Sequence, residues 1–181
     1  MTTGAPITLV RGDRLFLNEP EQRLGRWIGE QRHRINTERG CTPRVVQQDD
    51  RIRSNHRAGA MAEVAVARRL NLYPELQFTE YRGFNLRLAS GDLIGVTYSG
   101  AFECVVDQRR VHDHRQEHKD TPDLYIALTG ELPQFVFAGW ATHAELLAAP
   151  LDDRGYGPCY VLTTLRSPLD VLTLPRGAGY R

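Results

Sequence analysis

Three short alternating runs between residues 84 and 107, FNLRLASGDLIGVTYSGAFECVVD, constrain the fold of this chain more than any other stretch. Val, Ile, Thr, Tyr and Phe fill the runs, and these residue types favour pleated strands. The segments ASGD and SG, which separate the runs, are typical of tight turns. We therefore expect three strands that pair in chain order as an antiparallel meander.

Helical patterns precede this meander. Asn18 is suited to cap a helix whose first turn contains Glu-Pro, and residues 40–55 are polar and are predicted as a loop. Residues 57–70 are rich in alanine and form the strongest predicted helix, in which Glu63 is the only acid and is expected to be exposed. Four apolar residues recur at helical spacing after the first cap: Leu24, Trp27, Ile28 and Ile35.

A strand pair, a helix and a last strand follow the meander. LYIALT and QFVFA are predicted to form a hairpin, and CYVLTTL a final strand. Thr142 and Glu145 have the spacing of a capping box, which opens a helix that Pro150 ends. Near the N-terminus, ITLV and RLFL are each expected to pair at a sheet edge, whereas the tail from Pro168 onward is expected to be irregular.

Composition indicates one domain with a buried core, because 41% of the 181 residues are hydrophobic and 25% are charged. The net charge is +1, but residues 1–57 hold 11 Arg and 7 acids, whereas residues 58–181 hold 12 basic and 15 acidic residues. Three widely spaced cysteines without a CxxC pair argue against a disulfide framework or a structural zinc site. No apolar stretch approaches the roughly 18 residues of a membrane span. We expect a soluble cytoplasmic protein without membrane contact.

Arginines are predicted to follow the side of the first helix that lies opposite its apolar stripe. They are Arg23, Arg26, Arg32 and Arg34, with Trp27 nearby. Such a stripe can contact the phosphates of a nucleic acid, but it is also typical of a solvated helix face. Both interpretations stay open from the sequence.

The order of elements resembles that of the PD-(D/E)XK nuclease superfamily, in particular its small phage-encoded and mobile-element members. The resemblance lies in the helix AMAEVAVARRLNL, the meander, the pair DLYIALTG and FVFAGWA running into a capped helix, and the later RGYGP. It implies an α/β (α+β) fold with a restriction-endonuclease-like core, in which a central mixed sheet with a three-stranded meander is flanked by helices. We divide the chain into an N-terminal arm with its arginine-rich helix (residues 1–56), the nuclease-like core (57–165) and a tail (166–181).

Members of that superfamily bind Mg²⁺ with an acid on one strand and an acid-x-Lys on the next, and an acid on the preceding helix often assists. Two registers fit this chain. The favoured register places Asn85, Gly95 and Thr97 at the first acid, the second acid and the Lys, so that Glu63 alone keeps its functional group. Such a degenerate site lacks the hard oxygen ligands that a catalytic Mg²⁺ requires.

The second register moves the site by one strand. Asp92 and Asp107 then become the two acids and metal ligands, Arg109 stands where the Lys is expected, and Glu63 can assist. Arg stays protonated and is a poor proton shuttle. Separately, His114 and His118 stand four residues apart and would share a helix face that could bind a transition metal, although their charged surroundings equally indicate an exposed loop.

Three functions therefore stay open. The leading hypothesis is a nuclease-fold protein without cleavage activity and without a cofactor, which binds DNA or a DNA-processing protein in an accessory or anti-defence role. The second is a Mg²⁺-dependent DNA endonuclease that uses Asp92 and Asp107. The third is a structural or assembly protein of a virion, for which a homo-oligomer is expected.

Overall fold

A computed structural model of the chain describes residues 8–38, 49–74, 85–88, 90–108, 111, 121–153 and 157–170. The helices within these ranges are α1 (Glu19–Glu38), α2 (Asp49–Arg69) and α3 (His143–Leu147). The strands are β1 (Thr8–Leu9), β2 (Arg14–Phe16), β3 (Leu86–Arg87), β4 (Leu93–Tyr98), β5 (Cys104–Asp107), β6 (Leu124–Glu131), β7 (Gln134–Thr142), β8 (Leu151–Asp153), β9 (Pro158–Leu162) and β10 (Leu169–Asp170).

A mixed five-stranded sheet in the order β2-β7-β6-β4-β3 forms the centre of this α+β fold. β4 and β6 are parallel, and the other neighbours are antiparallel. The alanine-rich part of α2 packs against one face of the sheet, where the small residues allow close approach, and Ile94 and Ile126 from the sheet join that core. The expected α+β class is confirmed in this general form.

The predicted three-stranded meander is wrong in its third strand. β3 and β4 pair as expected, but β5 pairs with β9 in a separate three-stranded sheet, β5-β9-β8. The physical reason is that β6 already occupies the second edge of β4, from Ile94↔Leu124 to Tyr98↔Leu128. β5 instead places Cys104 in a second apolar cluster on the other face of the central sheet.

Several local predictions are confirmed. β6 and β7 form the expected hairpin, and Thr142 and Glu145 make a capping box that opens α3. Both N-terminal runs pair at edges, because β2 lies at one edge of the central sheet beside β7 and β1 pairs with β10. β10 belongs to the tail, so that part of the tail is a paired strand rather than irregular chain.

The helix α2 is longer than predicted, because it begins at Asp49, so the loop expected at residues 40–55 is wrong from residue 49 onward. Tertiary contacts account for the extension. Glu30 of α1 accepts hydrogen bonds from Arg53 (2.9 Å) and from Arg57 (2.6 Å to its Nε), which ties the first half of α2 to α1. The Arg57 guanidinium, supported by Arg53, holds the pKa of Glu30 below its ordinary value.

The apolar stripe predicted for α1 is only partly correct. Ile28 is fully buried, but Leu24 is 37% exposed and Trp27 is 49% exposed. The contact with α2 is made by two glycines: a Cβ at Gly25 would lie 2.6 Å from Met61 Cγ, and a Cβ at Gly29 would lie 2.6 Å from the Arg57 Cα. The glycines therefore bring the two helices close together, and they rotate Trp27 away from the core.

Candidate nucleic-acid interface

The helix α1 begins at a reciprocal cap that fixes its first turn. The Glu21 backbone N–H donates to Asn18 Oδ1 at 2.9 Å, and the Asn18 backbone N–H donates to Glu21 Oε2 at 2.8 Å. This capping box satisfies two backbone donors that would otherwise lack partners at the start of the helix. The predicted cap at Asn18 is confirmed.

Three of the predicted arginines lie on the exposed part of α1 together with Trp27. Arg23 donates to Glu19 at 2.7 Å, and Arg34 donates to Gln31 at 2.8 Å. Arg26 donates from Nε to the backbone carbonyl of Gln22 at a longer 3.3 Å. The side chains of Arg23 and Arg34 remain 62% and 63% exposed. Surface pairs of this kind contribute only about 0.3–0.5 kcal/mol, so a phosphate can replace them. We call Arg23, Arg26, Trp27 and Arg34 the α1 face.

Arg32 does not belong to this face, and here the sequence prediction is wrong. Its guanidinium turns toward α2 and donates to both carboxylate oxygens of Glu63, from Nη1 at 2.6 Å and from Nη2 at 2.7 Å. The reason is helical phase: Arg32 follows Ile28 by one turn, and it therefore lies on the buried side of α1. A bidentate, partly buried guanidinium is already committed, so Arg32 is not a phosphate ligand in this arrangement.

Glu63 is buried, at 4% exposure, which corrects the expectation of an exposed acid. Its Oε1 also accepts a hydrogen bond from Asn85 Nδ2 at 2.7 Å, and Asn85 Oδ1 in turn accepts the Val96 backbone N–H at 2.7 Å. The carboxylate, the amide and the guanidinium thus connect α1, α2, β3 and β4 in one network. We call Arg32, Glu63 and Asn85 the buried triad. The Arg32 guanidinium thus places a positive charge at both carboxylate oxygens of Glu63.

The other two positions of the favoured register lie on the opposite face of β4. A Cβ at Gly95 would lie 2.6 Å from the Tyr125 ring, and the Thr97 hydroxyl donates to Cys104 Sγ at 3.7 Å. Tyr125 and Cys104 belong to the second apolar cluster. The structure therefore brings Asn85 and Glu63 together and leaves Gly95 and Thr97 on the far side of the sheet.

The acids of the second register lie at different sheets, Asp92 just before β4 of the central sheet and Asp107 in β5 of the smaller sheet. Asp92 is 8% exposed in the turn before β4, where it accepts a hydrogen bond from the Ser90 hydroxyl. Asp107 ends β5 and is paired in register with Cys159 of β9. Among the residues that the structure describes, no group of three or more His, Cys, Asp or Glu side chains is placed to hold a metal ion. Arg109, His114 and His118 lie outside the described residues.

Sequence reasoning missed two pairings that the structure contains. The helical phase of Arg32 relative to Ile28 indicates that Arg32 lies on the buried side of α1, but it does not identify Glu63 as the partner. The second pairing places the Tyr125 hydroxyl 3.3 Å from His143 Nδ1 across the β6-β7 hairpin, with the two rings stacked at 6.0 Å. This contact depends on the pairing of β6 with β7 and on the start of α3, so no local sequence pattern predicts it.

Comparisons with protein-family models, with curated proteins and with solved structures found no match. Within the ranges that the structure describes, none of the helices is long and apolar enough to cross a membrane. The α1 face, the buried triad and the positions of the acids are the features of the described residues that bear on function.

Proposed function

We propose that this protein binds nucleic acid through the α1 face and does not cleave it. The observation that carries the proposal is the arrangement of Arg23, Arg26 and Arg34 beside a half-exposed Trp27 on a capped helix. Exposed guanidinium groups supply phosphate contacts, and an aromatic ring beside them is typical of nucleic-acid-binding surfaces. An accessory or anti-defence role of phage type, exerted in the cytoplasm, belongs to the same proposal.

The proposal includes a restriction-endonuclease-like core with a degenerate site. It is supported by the placement of the favoured register on two paired strands, since Asn85 directly precedes β3 and Gly95 and Thr97 lie on β4. The helix that carries Glu63 packs beside these strands, and Glu63 contacts Asn85 directly. The order of these elements along the chain is the order of the PD-(D/E)XK pattern, but Gly95 and Thr97 lie on the face of β4 opposite Asn85 and Glu63, so only Asn85 and Glu63 are brought together.

The absence of cleavage follows from the chemistry of those positions. Hydrolysis of a phosphodiester in this superfamily needs Mg²⁺ held by carboxylates, because Mg²⁺ prefers hard oxygen ligands in an octahedral arrangement. An amide at Asn85 and a hydrogen at Gly95 cannot replace two carboxylates. The carboxylate of Glu63 is neutralised by Arg32 at 2.6 and 2.7 Å.

The test is fluorescence anisotropy of labelled DNA titrated with the protein over a range of salt concentrations. Each lost phosphate contact should reduce the slope of log K against log salt by about 0.9 on duplex DNA or about 0.7 on a single strand. The double variant Arg23→Ala/Arg26→Ala should therefore flatten the slope by about 1.4 to 1.8. Arg87→Ala is the matched control, because Arg87 is also exposed but lies on β3 rather than on α1.

Incubation of the same DNA with Mg²⁺ or Mn²⁺ completes the test, and intact DNA is expected. Binding with no salt dependence, or an equal effect of Arg87→Ala, would refute the α1 face as the phosphate contact. Cleavage by the wild-type protein that disappears in Asp107→Ala would refute the non-catalytic proposal and support the second register.

A further inference from the structure

A carboxylate lies in the middle of the α1 face. Residues four apart on a helix share one side of it, so Glu30 lies between Arg26 and Arg34 in one row along α1. From Arg26 to Arg34 the helix rises about 12 Å, which spans roughly three to four nucleotides of one strand of a duplex. A strand that contacts both arginines therefore passes over Glu30, where a carboxylate without neighbouring cations would repel its phosphates.

Two arginines of α2 hold this carboxylate, one at each oxygen. Arg57 donates from Nε to Glu30 Oε1 at 2.6 Å and also contacts this oxygen through Nη2. Arg53 contacts Glu30 Oε2 from Nε at 2.9 Å and from Nη2 at 2.8 Å. The hydrogen bond from Arg57 is the main reason why the pKa of Glu30 lies below its ordinary value. We call Glu30, Arg53 and Arg57 the interhelix cluster.

The close approach of the two helices brings the interhelix cluster to the surface beside the α1 face. A Cβ at Gly29, the residue before Glu30, would lie 2.6 Å from the Arg57 Cα, so the backbone of Arg57 lies against α1. The side chains of Arg53 and Arg57 remain 45% and 40% exposed. Each guanidinium turns its Nε and Nη2 edge toward Glu30, and no residue in the described ranges accepts a hydrogen bond from the Nη1 atom of either arginine.

The second helix supplies the positive charge that the first helix lacks. The arginines and glutamates of α1 are equal in number, but α1 and α2 together contain nine arginines and seven acids, an excess of two positive charges. Within the interhelix cluster two guanidinium groups share one carboxylate, so its formal charge is +1. Binding to a polyanion depends on such an excess, because it releases counterions from the nucleic acid.

We infer that Arg53 and Arg57 contact phosphates of the bound nucleic acid, and that Glu30 competes with those phosphates for the two guanidinium groups. This inference rests on the proposed nucleic-acid binding and extends its contact surface from α1 to α2. Carboxylate and phosphate oxygens accept hydrogen bonds from the same fork of guanidinium donors. In the free protein Glu30 therefore holds the two side chains at the surface, and in the complex its charge limits the affinity.

The experiment is fluorescence anisotropy of labelled duplex DNA over a range of salt concentrations. Glu30→Gln removes the competing charge but keeps an oxygen that accepts a hydrogen bond from the arginines. It should bind more tightly than the wild type and steepen the slope of log K against log salt by about 0.9. Its advantage in affinity should accordingly shrink by about 3.5-fold between about 50 and 200 mM salt. Arg53→Ala/Arg57→Ala should flatten the slope by about 1.8.

Matched controls separate the interhelix cluster from the overall charge of the protein. Glu131→Gln removes the same charge as Glu30→Gln, but from the exposed end of β6. Arg68→Ala/Arg69→Ala removes two exposed arginines from the last turn of α2. Arg68 follows Arg57 by about 16 Å along the helix, which exceeds the distance over which exposed charges act at about 0.1 M salt. Neither control should change the slope measurably.

The outcomes distinguish this inference from the proposed function. The inference would be overturned by any of three results: no gain in affinity from Glu30→Gln, an equal gain from its charge control, or an unchanged slope in Arg53→Ala/Arg57→Ala. In each case Arg23→Ala/Arg26→Ala still tests the proposed function, because it leaves the interhelix cluster intact. If both arginine double variants keep the wild-type slope, nucleic-acid binding by the α1 face is itself refuted. Circular dichroism under the assay conditions should show the wild-type spectrum for every variant, since the pairs that are removed lie at the surface.

Discussion

The replacement of Glu63 by Ala tests whether the buried triad is a structural link between the helices and the sheet. Glu63 accepts hydrogen bonds from Arg32 at 2.6 and 2.7 Å and from Asn85 at 2.7 Å. Its removal leaves a guanidinium and an amide without their acceptor in a largely buried place. Glu63→Ala should therefore destabilise the fold strongly, with no dependence on added metal.

The magnitude can be estimated from the burial of the partners. Breaking a buried ion pair by removing one member destabilises a protein by about 3–5 kcal/mol, because the other charge stays buried and uncompensated. The side chain of Arg32 is 22% exposed and can reach some water, which places the expected loss near the lower end, at about 3 kcal/mol. For a chain of this size that loss lowers Tm by about 6–12 °C.

The assay is urea unfolding followed by circular dichroism, combined with a double-mutant cycle. The cycle consists of Arg32→Met, Glu63→Leu and Arg32→Met/Glu63→Leu. The double variant removes both charges, so it should be more stable than Glu63→Leu, and the coupling energy should lie between about 0.5 and 3 kcal/mol. Glu19→Ala is the matched control, because it breaks an arginine pair whose carboxylate is 76% exposed and should change stability by less than about 0.5 kcal/mol.

The reasoning would be refuted if Glu63→Ala unfolded within about 0.5 kcal/mol of the wild type, or if the two single changes of the cycle were additive. A metal role for Glu63 makes a different prediction. In that case the wild type would gain stability on addition of Mg²⁺ or Mn²⁺, and Glu63→Ala would lose that gain rather than lose basal stability.

Three further outcomes follow from the packing and the titrating groups. Gly29→Ala should lower the free energy of unfolding by about 1–3 kcal/mol, because its Cβ would lie 2.6 Å from the backbone of Arg57. Gly59→Ala should raise the free energy of unfolding by about 0.4–1 kcal/mol, because its Cβ would have nothing within 4 Å. Urea unfolding of both variants checks this pair. Burial acts to raise the pKa of Glu145, but the helix-cap hydrogen bonds and Arg166 hold it below its ordinary value of 4.5. A pKa that is lower in the folded than in the unfolded protein stabilises the fold at pH values above the unfolded pKa. The Tm of the wild type should therefore exceed that of Glu145→Gln by a constant amount above about pH 4.5, and the difference should shrink as the pH falls. A constant difference down to about pH 3 would contradict this. Burial raises the pKa of the Cys104 thiol to about 12, so iodoacetamide should modify it only in unfolded protein, and peptide mapping that finds modification in the native state would contradict this.

The features that the sequence predicted best depend on residues that lie close together in the chain. The caps at Asn18 and Thr142 each depend on a partner three residues later, and both have the expected hydrogen bonds. The prediction of a three-stranded meander was wrong because an alternating pattern indicates a strand but does not determine which strand it pairs with. β4 pairs with β6, which begins at Leu124, and that choice displaced β5 into the other sheet. Strand pairing over such a distance depends on the whole core rather than on a local run.

The candidate site could be predicted only in part from the sequence, because some of its contacts join residues far apart in the chain. Burial of Glu63 depends on an arginine 31 positions earlier in the chain, and the favourable geometry of that pair cannot be read from either residue alone. Asn85 directly precedes β3, and Gly95 and Thr97 lie on β4, which pairs with β3, but the prediction did not separate the two faces of β4. A side-chain period of two places Gly95 and Thr97 together and places their neighbours Ile94 and Val96 toward α2.

The two glycines of α1 explain why the predicted apolar stripe was only partly correct and why Trp27 lies on the exposed side of the helix. A glycine contributes no hydrophobic signal, so a pattern of apolar residues passes over Gly25 and Gly29 and assigns the helix contact to Leu24 and Trp27 instead. In the fold, contact through glycine lets the helix backbones approach closely, and Trp27, which is two residues from each glycine, lies about half a turn away from the contact. The same rotation that buries the glycines therefore exposes the indole. Stability and the proposed nucleic-acid binding should separate accordingly: Gly29→Ala should change the free energy of unfolding, and Arg23→Ala/Arg26→Ala should change the affinity for DNA.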